Sequence, residues 1–311
     1  MAVYTSITKE SLESFLIEFN IGTFISFDGI SSGVTNTNYL ITTAENKFIL
    51  TIFEHHTMEE LPFFINLMTF LSSHNIDCPK PIPNNQKKAI NLFKDKPALI
   101  VSFLNGSEVK KITELNCNAV GKALAKMHMV TKSLTEKRKN SRGLGWIEKT
   151  FFNMKAKLTS TEKNMITLEI NFLKSHVLDD LPRSTIHGDL FRDNVLFLNE
   201  SRPSFIDFYY ACNEVLVFDI AIAVNDWCVR DDGSLDQNKL SQFLAGYESE
   251  RKLDYKEKDN MHVALRWAAL RFYISRLEHI HSNPSAEILA LKNPDQFKKV
   301  LIDRQINEYK F

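Results

Sequence analysis

The hydrophobic and polar positions of this chain follow two patterns in turn. Residues 24–103 contain short apolar runs, rich in Ile, Phe, Tyr and Thr, that are separated by polar turns, which is typical of antiparallel strands. The strands predicted from these runs are 24–30, 38–43, 47–53, 89–93 and 98–103. Apolar residues at helical spacing predict two further elements, helices at 8–19 and 58–73.

Beyond residues 104–107 (Leu-Asn-Gly-Ser) the pattern becomes helical. Val120, Leu124 and Met127 fall on one helical face. Further helices are predicted at 161–177, 235–251, 256–281 and 294–309, with one short hairpin between them at 195–198 and 204–206. The sequence therefore predicts an α+β fold of two lobes, a small antiparallel sheet in residues 1–104 and a mainly helical lobe in residues 105–311.

Composition narrows the choice of partners and compartment. The chain has 311 residues and a formal net charge of zero with scattered Lys and Arg, so we expect neither nucleic acid nor an anionic membrane as partner. The most apolar run, 215–224, is interrupted by Asp219 and is too short to span a bilayer. No secretory signal pattern opens the chain, and the four cysteines lack metal-ligand spacing. We expect a cytoplasmic protein with free thiols.

The candidate chemistry lies on both sides of the predicted hairpin. A His-Gly-Asp sequence, His187 to Asp189, precedes the hairpin, and Asp207 follows it. Protein kinases carry a catalytic loop of the form H-R-D-x-x-x-x-N and then a D-F-G motif. Asp189 and Asn194 have that same spacing, and Asp207 is followed by Phe, although Tyr209 replaces the glycine.

His-Gly-Asp alone would also suit an ordinary turn, because turns favour Gly and Asp. Here an Asn follows at the kinase spacing, a strand comes next, and a second Asp opens the following loop. Three elements that agree in order and distance favour phosphoryl transfer.

With Gly188 in place of the kinase arginine, the loop resembles that of the aminoglycoside phosphotransferase and choline kinase superfamily, which phosphorylates small molecules. Other segments resemble the homoserine kinases of that superfamily, namely VYTSIT, SSGVTNTNYLITT, FILTIFE, HGDLFRDNVLF, IDFYYAC and LRFYISRL. The resemblance implies a two-lobed protein-kinase-like fold with ATP between the lobes. It also implies transfer of the γ-phosphoryl group of ATP to the side-chain hydroxyl of homoserine, in threonine biosynthesis.

The resemblance also assigns roles to the loop residues. Asp189 would accept or orient the proton of the attacking hydroxyl, and Asn194 and Asp207 would hold Mg²⁺. Arg192 would face the transferring phosphoryl group, with an ion pair to Asp193 or another carboxylate as the equal alternative. Structural support of the loop is expected from two residues, His187 and Asp219.

Asp219 lies in an apolar helix and needs a buried donor, for which the catalytic-loop backbone is the candidate.

The candidate nucleotide site lies in the β-rich lobe. The turn between the first two strands can aim backbone N–H groups at phosphate oxygens. Its residues are Ser31, Ser32, Gly33, Val34 and Thr35. The adenine is expected beside Val101, Ser102, Phe103 and Leu104.

The third strand departs from the kinase pattern. Kinases usually place there a lysine that pairs with the α- and β-phosphates, but this chain has Thr51. Either another cation does this work, or Mg²⁺ and the backbone carry the phosphate charge.

A homoserine site should present an arginine to the substrate carboxylate. Arg271 and Arg266 flank the apolar stripe of the predicted helix at 256–281 and are the candidates, with surface or interlobe ion pairing as the alternative for each.

Three other functions stay open at this point. The first is a kinase for another small alcohol, such as choline, an aminoglycoside or methylthioribose, of which choline would call for an aromatic cage. The second is a catalytically silent nucleotide-binding protein, which the missing lysine permits. The third is a metal-dependent hydrolase with His187, Asp189 and Asp207 as ligands.

Overall fold

The computed structural model describes residues 5–30, 36–176, 178, 180–282 and 293–311. The chain divides into two compact units, Met1–Asn105 and Gly106–Phe311. The five residues of the predicted phosphate-binding turn, 31–35, lie outside the described residues. Within the described ranges, none of the helices combines the length and the apolar character needed to span a membrane.

The first unit contains a five-stranded antiparallel sheet, as predicted. Its strands are β1 (Phe24–Ile30), β2 (Asn36–Thr43), β3 (Lys47–Phe53), β4 (Ile90–Phe93) and β5 (Lys96–Ser102). They lie in the order β1-β2-β3-β5-β4, and every neighbouring pair is antiparallel. The predicted α+β class is therefore confirmed.

Two helices accompany this sheet, α1 (Lys9–Leu16) and α2 (Leu61–Ser73). Helix α1 begins at Thr8, whose hydroxyl accepts a hydrogen bond from the backbone N–H of Ser11, while the Ser11 hydroxyl accepts one from the backbone N–H of Thr8. Its buried Leu12 joins Ile41, Leu50 and other sheet residues in one apolar core. The amphipathic face of α1 thus covers the sheet.

The second unit is mainly helical. Its helices are α3 (Glu114–Thr131), α4 (Leu144–Met154), α5 (Ser160–Lys174), α6 (Leu216–Trp227), α7 (Gln237–Glu250), α8 (Tyr255–Ser282) and α9 (Pro294–Ile306). The predicted hairpin forms from β7 (Val195–Asn199) and β8 (Arg202–Phe205), which pair antiparallel. Every residue of α6 is buried, including Asp219 and Asp226.

Sequence patterns missed α4 and a second two-stranded sheet. This sheet pairs β6 (Arg183–Ile186) with β9 (Cys212–Val215), and its register sets Ile186 opposite Cys212. Each strand has only four residues, too few to show a clear alternation, and the pairing partners are far apart in sequence. The pair ties together the two ends of the segment that carries the candidate catalytic residues.

Candidate active site

The loop after β6 turns sharply at Gly188, which has φ of 77°. A Cβ at this position would lie 2.7 Å from the backbone oxygen of Tyr210. Glycine is thus required both by the left-handed backbone and by the close approach of the segment after Asp207. This packing brings the two predicted catalytic segments together.

Asp219 of α6 holds the first half of the loop. Its Oδ2 accepts a hydrogen bond from the backbone N–H of His187 at 2.8 Å, and its Oδ1 accepts one from that of Gly188 at 2.8 Å. These are the donors that the sequence analysis named for Asp219. Nε2 of the buried His128 lies 3.1 Å from the same Oδ2, and Nδ1 of His128 lies 2.8 Å from the Tyr247 hydroxyl. The loop backbone is thus anchored to α6, and through His128 to α3.

Electrostatics agree with an ionised Asp219. Burial opposes its charge, but the hydrogen bond and attraction of His128, the attraction of His187 and the N–H of Gly188 outweigh burial and lower the pKa of Asp219. An ionised carboxylate accepts stronger hydrogen bonds from backbone N–H groups than a neutral one.

Both ring nitrogens of His187 are engaged. Its Nδ1 accepts a hydrogen bond from the backbone N–H of Asp189 at 3.3 Å, and its Nε2 donates to the backbone oxygen of Ile206 at 2.9 Å. Burial lowers the pKa of His187, which favours this neutral form. His187 therefore joins the catalytic loop to the segment before Asp207, and it has no ring nitrogen left for a metal. This geometry disfavours the hydrolase alternative.

Asn194 lies directly against Asp189. Its Nδ2 donates to the backbone oxygen of Asp189 at 2.8 Å and to the carboxylate Oδ2 at 3.0 Å. The planar amide therefore turns its own oxygen away from Asp189. The predicted catalytic base and the predicted metal ligand are fixed as one unit.

Asp207 follows β8 beside Asn194, since the backbone N–H of Ile206 donates to the backbone oxygen of Asn194 at 3.0 Å. Asp207 has φ of 62° and ψ of 62°, a left-handed conformation that aspartate tolerates better than most residues. Such backbone outliers cluster at functional sites.

Magnesium prefers oxygen ligands and is usually held by one or two carboxylates together with phosphates and water. The carboxylate of Asp207 and the amide oxygen of Asn194 suit that requirement. No group of three or more His, Cys, Asp or Glu that could hold a metal occurs in the part of the chain that is described. A donor set of one carboxylate and one amide oxygen suits an ion whose remaining ligands are phosphate oxygens and water.

Arg192 is engaged by Asp226, a residue that the sequence analysis did not single out. The backbone N–H of Arg192 donates to Oδ2 of Asp226 at 2.8 Å, and Nε of Arg192 lies 3.1 Å from the same oxygen. Nη2 of Arg192 donates to the backbone oxygen of Asp226 at 2.7 Å. Burial would lower the pKa of Arg192, but Asp226 raises it above its ordinary value. The geometry favours the ion-pair alternative, with Asp226 as partner.

Asp219 and Asp226 are seven residues apart on α6 and so share one helical face. Together they hold both ends of the catalytic loop. Two aspartates at this spacing within an apolar helix were the sequence signal that could have identified Asp226.

Comparison with known proteins shows the family of the chain. A family model described as "Phosphotransferase enzyme family" matches residues 26–253. The chain belongs to this phosphotransferase family. It is also 38% identical to a homoserine kinase of Methylobacillus flagellatus, over 97% of this chain and 94% of that protein. A homoserine kinase of Rhizobium rhizogenes is 37% identical, over 98% and 97% of the two chains.

Solved structures show the same fold. An amicoumacin kinase in complex with AMP-PNP and Ca²⁺ aligns with a TM-score of 0.72 and 16% identity, covering 96% of this phosphotransferase and 92% of that chain. A choline kinase from Cryptosporidium parvum aligns with a TM-score of 0.64 and 16% identity, covering 96% and 98%. The predicted kinase-like fold is thereby confirmed.

In this phosphotransferase Arg271 supports the catalytic loop. It is 4% exposed, donates from Nη1 to the backbone oxygen of Gly188, and lies over the Phe272 ring with Cζ 4.3 Å from the centroid. Burial lowers its pKa, and the charge of Asp189 opposes that effect. The geometry thus gives Arg271 a contact that supports the loop, and it favours this structural role over the predicted contact with a substrate carboxylate.

Arg266 does not join the catalytic loop. Its Nε and Nη2 donate to the two carboxylate oxygens of the fully buried Glu169 at 2.7 and 2.6 Å. The same guanidinium stacks on Phe172 at 3.4 Å. The geometry therefore favours the ion-pair alternative over the predicted contact of Arg266 with the substrate.

The candidate nucleotide-binding strands of the first unit are well ordered by pairing. Thr51 is 4% exposed and its hydroxyl donates to Oδ1 of Asn38, its partner on β2, at 2.8 Å. Thr51 thus serves a cross-strand hydrogen bond at the position where a kinase lysine was expected.

Phe103 donates its backbone N–H to the backbone oxygen of Lys47 at 3.3 Å, and the Lys47 ammonium lies 5.8 Å from the Phe103 ring centre.

Residues 101–104 pass from strand to irregular backbone. Val101 is buried at the end of β5, whereas Ser102, Phe103 and Leu104 are half-buried. Phe103 and Leu104 therefore retain exposed apolar surface just after the strand.

Proposed function

We propose that this phosphotransferase transfers the γ-phosphoryl group of ATP to the side-chain hydroxyl of L-homoserine, giving O-phosphohomoserine for threonine biosynthesis. The observation that carries the choice of acceptor is the 38% identity to a homoserine kinase over nearly the full length of both chains. The arrangement of Asp189, Asn194 and the segment before Asp207 supports the reaction type.

Asp189 would accept a hydrogen bond from the substrate hydroxyl and take its proton as the phosphoryl group transfers. Because the transition state is loose, the protein mainly positions the hydroxyl and offsets charge. The hydrogen bonds from Asn194 Nδ2 fix the carboxylate for that task. Proton transfer then needs no movement of the loop.

Asn194 Oδ1 and Asp207 would hold Mg²⁺, which when bound offsets the charge of the β- and γ-phosphates. The loop backbone at Gly188 stays fixed between Asp219 and Arg271. In this proposal His187, Asp219, Asp226 and Arg192 position the loop and do not contact substrate.

ATP as donor is supported by the family and by the relative solved with an ATP analogue. We propose that its adenine contacts residues 101–104, where Phe103 and Leu104 expose apolar surface. With Thr51 in place of the lysine, Mg²⁺ and backbone N–H groups would offset more of the phosphate charge.

The four cysteines are buried and unpaired, as predicted, which supports the proposed cytoplasmic location.

The test is release of ADP from Mg-ATP in the presence of homoserine, choline, ethanolamine, methylthioribose or an aminoglycoside. We expect homoserine to give the highest kcat/KM, and O-phosphohomoserine to form in equal amount to ADP. A clear preference for another acceptor would reject homoserine but keep the kinase. No ADP release above the rate without acceptor would favour the silent nucleotide-binding alternative.

A further inference from the structure

A second group of charged and aromatic side chains surrounds Tyr210, three residues after Asp207. The guanidinium carbon of Arg142 lies 4.3 Å from the ring centre of Trp146, in the first turn of α4, and 5.7 Å from that of Tyr210. Nη1 of Arg142 donates to Oε2 of Glu278 on α8 at 3.2 Å. The group therefore combines one positive and one negative charge on an aromatic support.

This group adjoins the catalytic loop. The backbone oxygen of Tyr210 packs against Gly188, and the Tyr210 ring centre lies 5.6 Å from the guanidinium carbon of Arg271, which supports that loop. Burial raises the pKa of Tyr210; Arg142 opposes this effect, whereas Asp189 and Asp207 add to it. Arg142, the predicted catalytic Asp189 and the predicted metal ligand Asp207 thus act electrostatically on the same ring.

Accessibility separates Arg142 from Arg271, and a smaller number of hydrogen bonds separates it from Arg192. Its side chain is 27% exposed and that of Glu278 is 38% exposed, whereas Arg271 is 4% exposed. Arg192 donates repeatedly to Asp226, but among the described residues the Arg142 side chain has a single hydrogen-bond acceptor, Glu278. A guanidinium has five N–H donors in a planar fork, so Arg142 can still bind a second carboxylate.

A hydrogen bond holds the backbone of Arg142, from which its side chain extends. Its backbone N–H donates to Oδ1 of Asn140 at 2.8 Å, and Nδ2 of Asn140 donates to Glu214 at 3.1 Å. Helix α4, which begins just after it, has no acidic residue in its first turn. An incoming carboxylate would therefore meet a positioned cation and the positive end of a helix dipole.

An amino acid carries a carboxylate and an ammonium group on one carbon, and a neighbouring arginine and glutamate match both. Resting on the proposed function, we infer that Arg142 binds the α-carboxylate of the acceptor and Glu278 binds its α-ammonium group. The ligand replaces one exposed ion pair by two, while its hydroxyl points to Asp189. Arg142 and Glu278 then determine the choice of an amino acid over a simple alcohol.

The test compares acceptors that each lack one charge. L-homoserine is compared with 3-aminopropan-1-ol, which lacks the carboxylate, and with 4-hydroxybutanoate, which lacks the ammonium group. We expect Arg142→Met to lower kcat/KM for homoserine about 10- to 100-fold, the loss typical of a charged hydrogen bond, with little effect on 3-aminopropan-1-ol. Glu278→Gln should lower homoserine use by a similar factor and spare 4-hydroxybutanoate.

Each ratio is measured on a single protein sample, so it does not depend on how much of a variant is folded. Arg142→Lys, which keeps the charge but loses the fork, should give an intermediate ratio. The matched control is Glu148→Gln, because Glu148 on α4 is also 38% exposed and pairs with one lysine, Lys174. It should leave all three acceptors unchanged, and no variant should alter the KM for ATP.

The outcomes separate the two proposals. If wild type prefers homoserine but both variants keep the wild-type ratios, Arg142 and Glu278 form only a surface ion pair and this inference is overturned alone. If wild type uses 3-aminopropan-1-ol or 4-hydroxybutanoate as well as homoserine, the proposed function is overturned and the inference with it.

Discussion

Asp189 and Asn194 are joined through one amide nitrogen, which donates to both the backbone and the carboxylate of Asp189. The geometry restricts the carboxylate before any ligand binds, and such preorganisation would lower the barrier by holding the proposed base in position for the attacking hydroxyl. The same contact explains why asparagine at 194 suits the proposed site, since its nitrogen holds Asp189 while its oxygen stays available for the proposed Mg²⁺.

Asp189→Asn should keep the fold and ATP binding, because the new amide oxygen can still accept from Asn194. The variant lacks the carboxylate that we propose takes the hydroxyl proton, so we expect kcat to fall about 10²- to 10⁴-fold. Steady-state kinetics would measure kcat and the KM for ATP, and a parallel thermal melt would measure the stability of the fold. Turnover close to wild type in a folded variant would show that Asp189 is not the base.

Asp207→Ala should abolish Mg²⁺-dependent turnover, because neutral Asn194 cannot by itself offset the charge of a phosphate-bound ion. A titration of Mg²⁺ at saturating ATP and homoserine provides the measurement. If twice the usual Mg²⁺ restored normal turnover, Asp207 would have a structural role only.

At the scale of elements, the buried helix α6 holds the catalytic loop in place. Asp219 and Asp226 lie on one face of this buried helix and hold the two ends of the loop. Asp219 is 0% exposed, whereas the side chain of Arg192, the partner of Asp226, is 44% exposed. Since solvent screens the second contact, the two anchors should differ in strength.

Asp219→Asn should therefore destabilise the protein more than Asp226→Asn does. The first removes a buried charge and sets an NH₂ group against backbone N–H donors, and we expect a loss of about 3–5 kcal/mol in the free energy of unfolding. For the second we expect a smaller loss, measured likewise by urea denaturation. Equal losses would show that exposure of Arg192 does not weaken its contact.

At the scale of the whole molecule, several titrating groups make stability depend on pH in the same direction. Burial lowers the pKa of His187 and His262 below 6.5 in the folded protein. Burial opposes ionisation of Glu162, but its hydrogen bonds to Thr159 and to Lys298 prevail and lower its pKa to about 2. The unfolded chain therefore binds protons at a higher pH than the folded chain does.

The histidines should cause the free energy of unfolding to fall as the pH drops below about 6.5, where the unfolded chain takes up protons first. Asp219 and Glu162 should extend the loss below about pH 4.5, as the pH falls toward their lowered folded-state pKa values. Urea denaturation at intervals from pH 8 down to about pH 2 would follow both windows. Constant stability between pH 7 and pH 5 would contradict the role given to the histidines.

The sequence by itself determined the features that depend on local pattern. Alternation and turn residues gave the five-stranded sheet, with β1 and β3 at the residues that were predicted. Motif spacing located Asp189, Asn194 and Asp207 at the two ends of one hairpin. A strand or loop motif is encoded within a few residues, so it can be identified without knowledge of distant partners.

Only the tertiary structure decided what each arginine contacts. Arg192 binds Asp226, Arg266 binds Glu169, and Arg271 supports Gly188. These contacts join residues that are 34, 97 and 83 positions apart, and each depends on which helix faces pack together. Charge type and helical face predict that an arginine needs a partner, whereas the packing of the whole unit selects the partner.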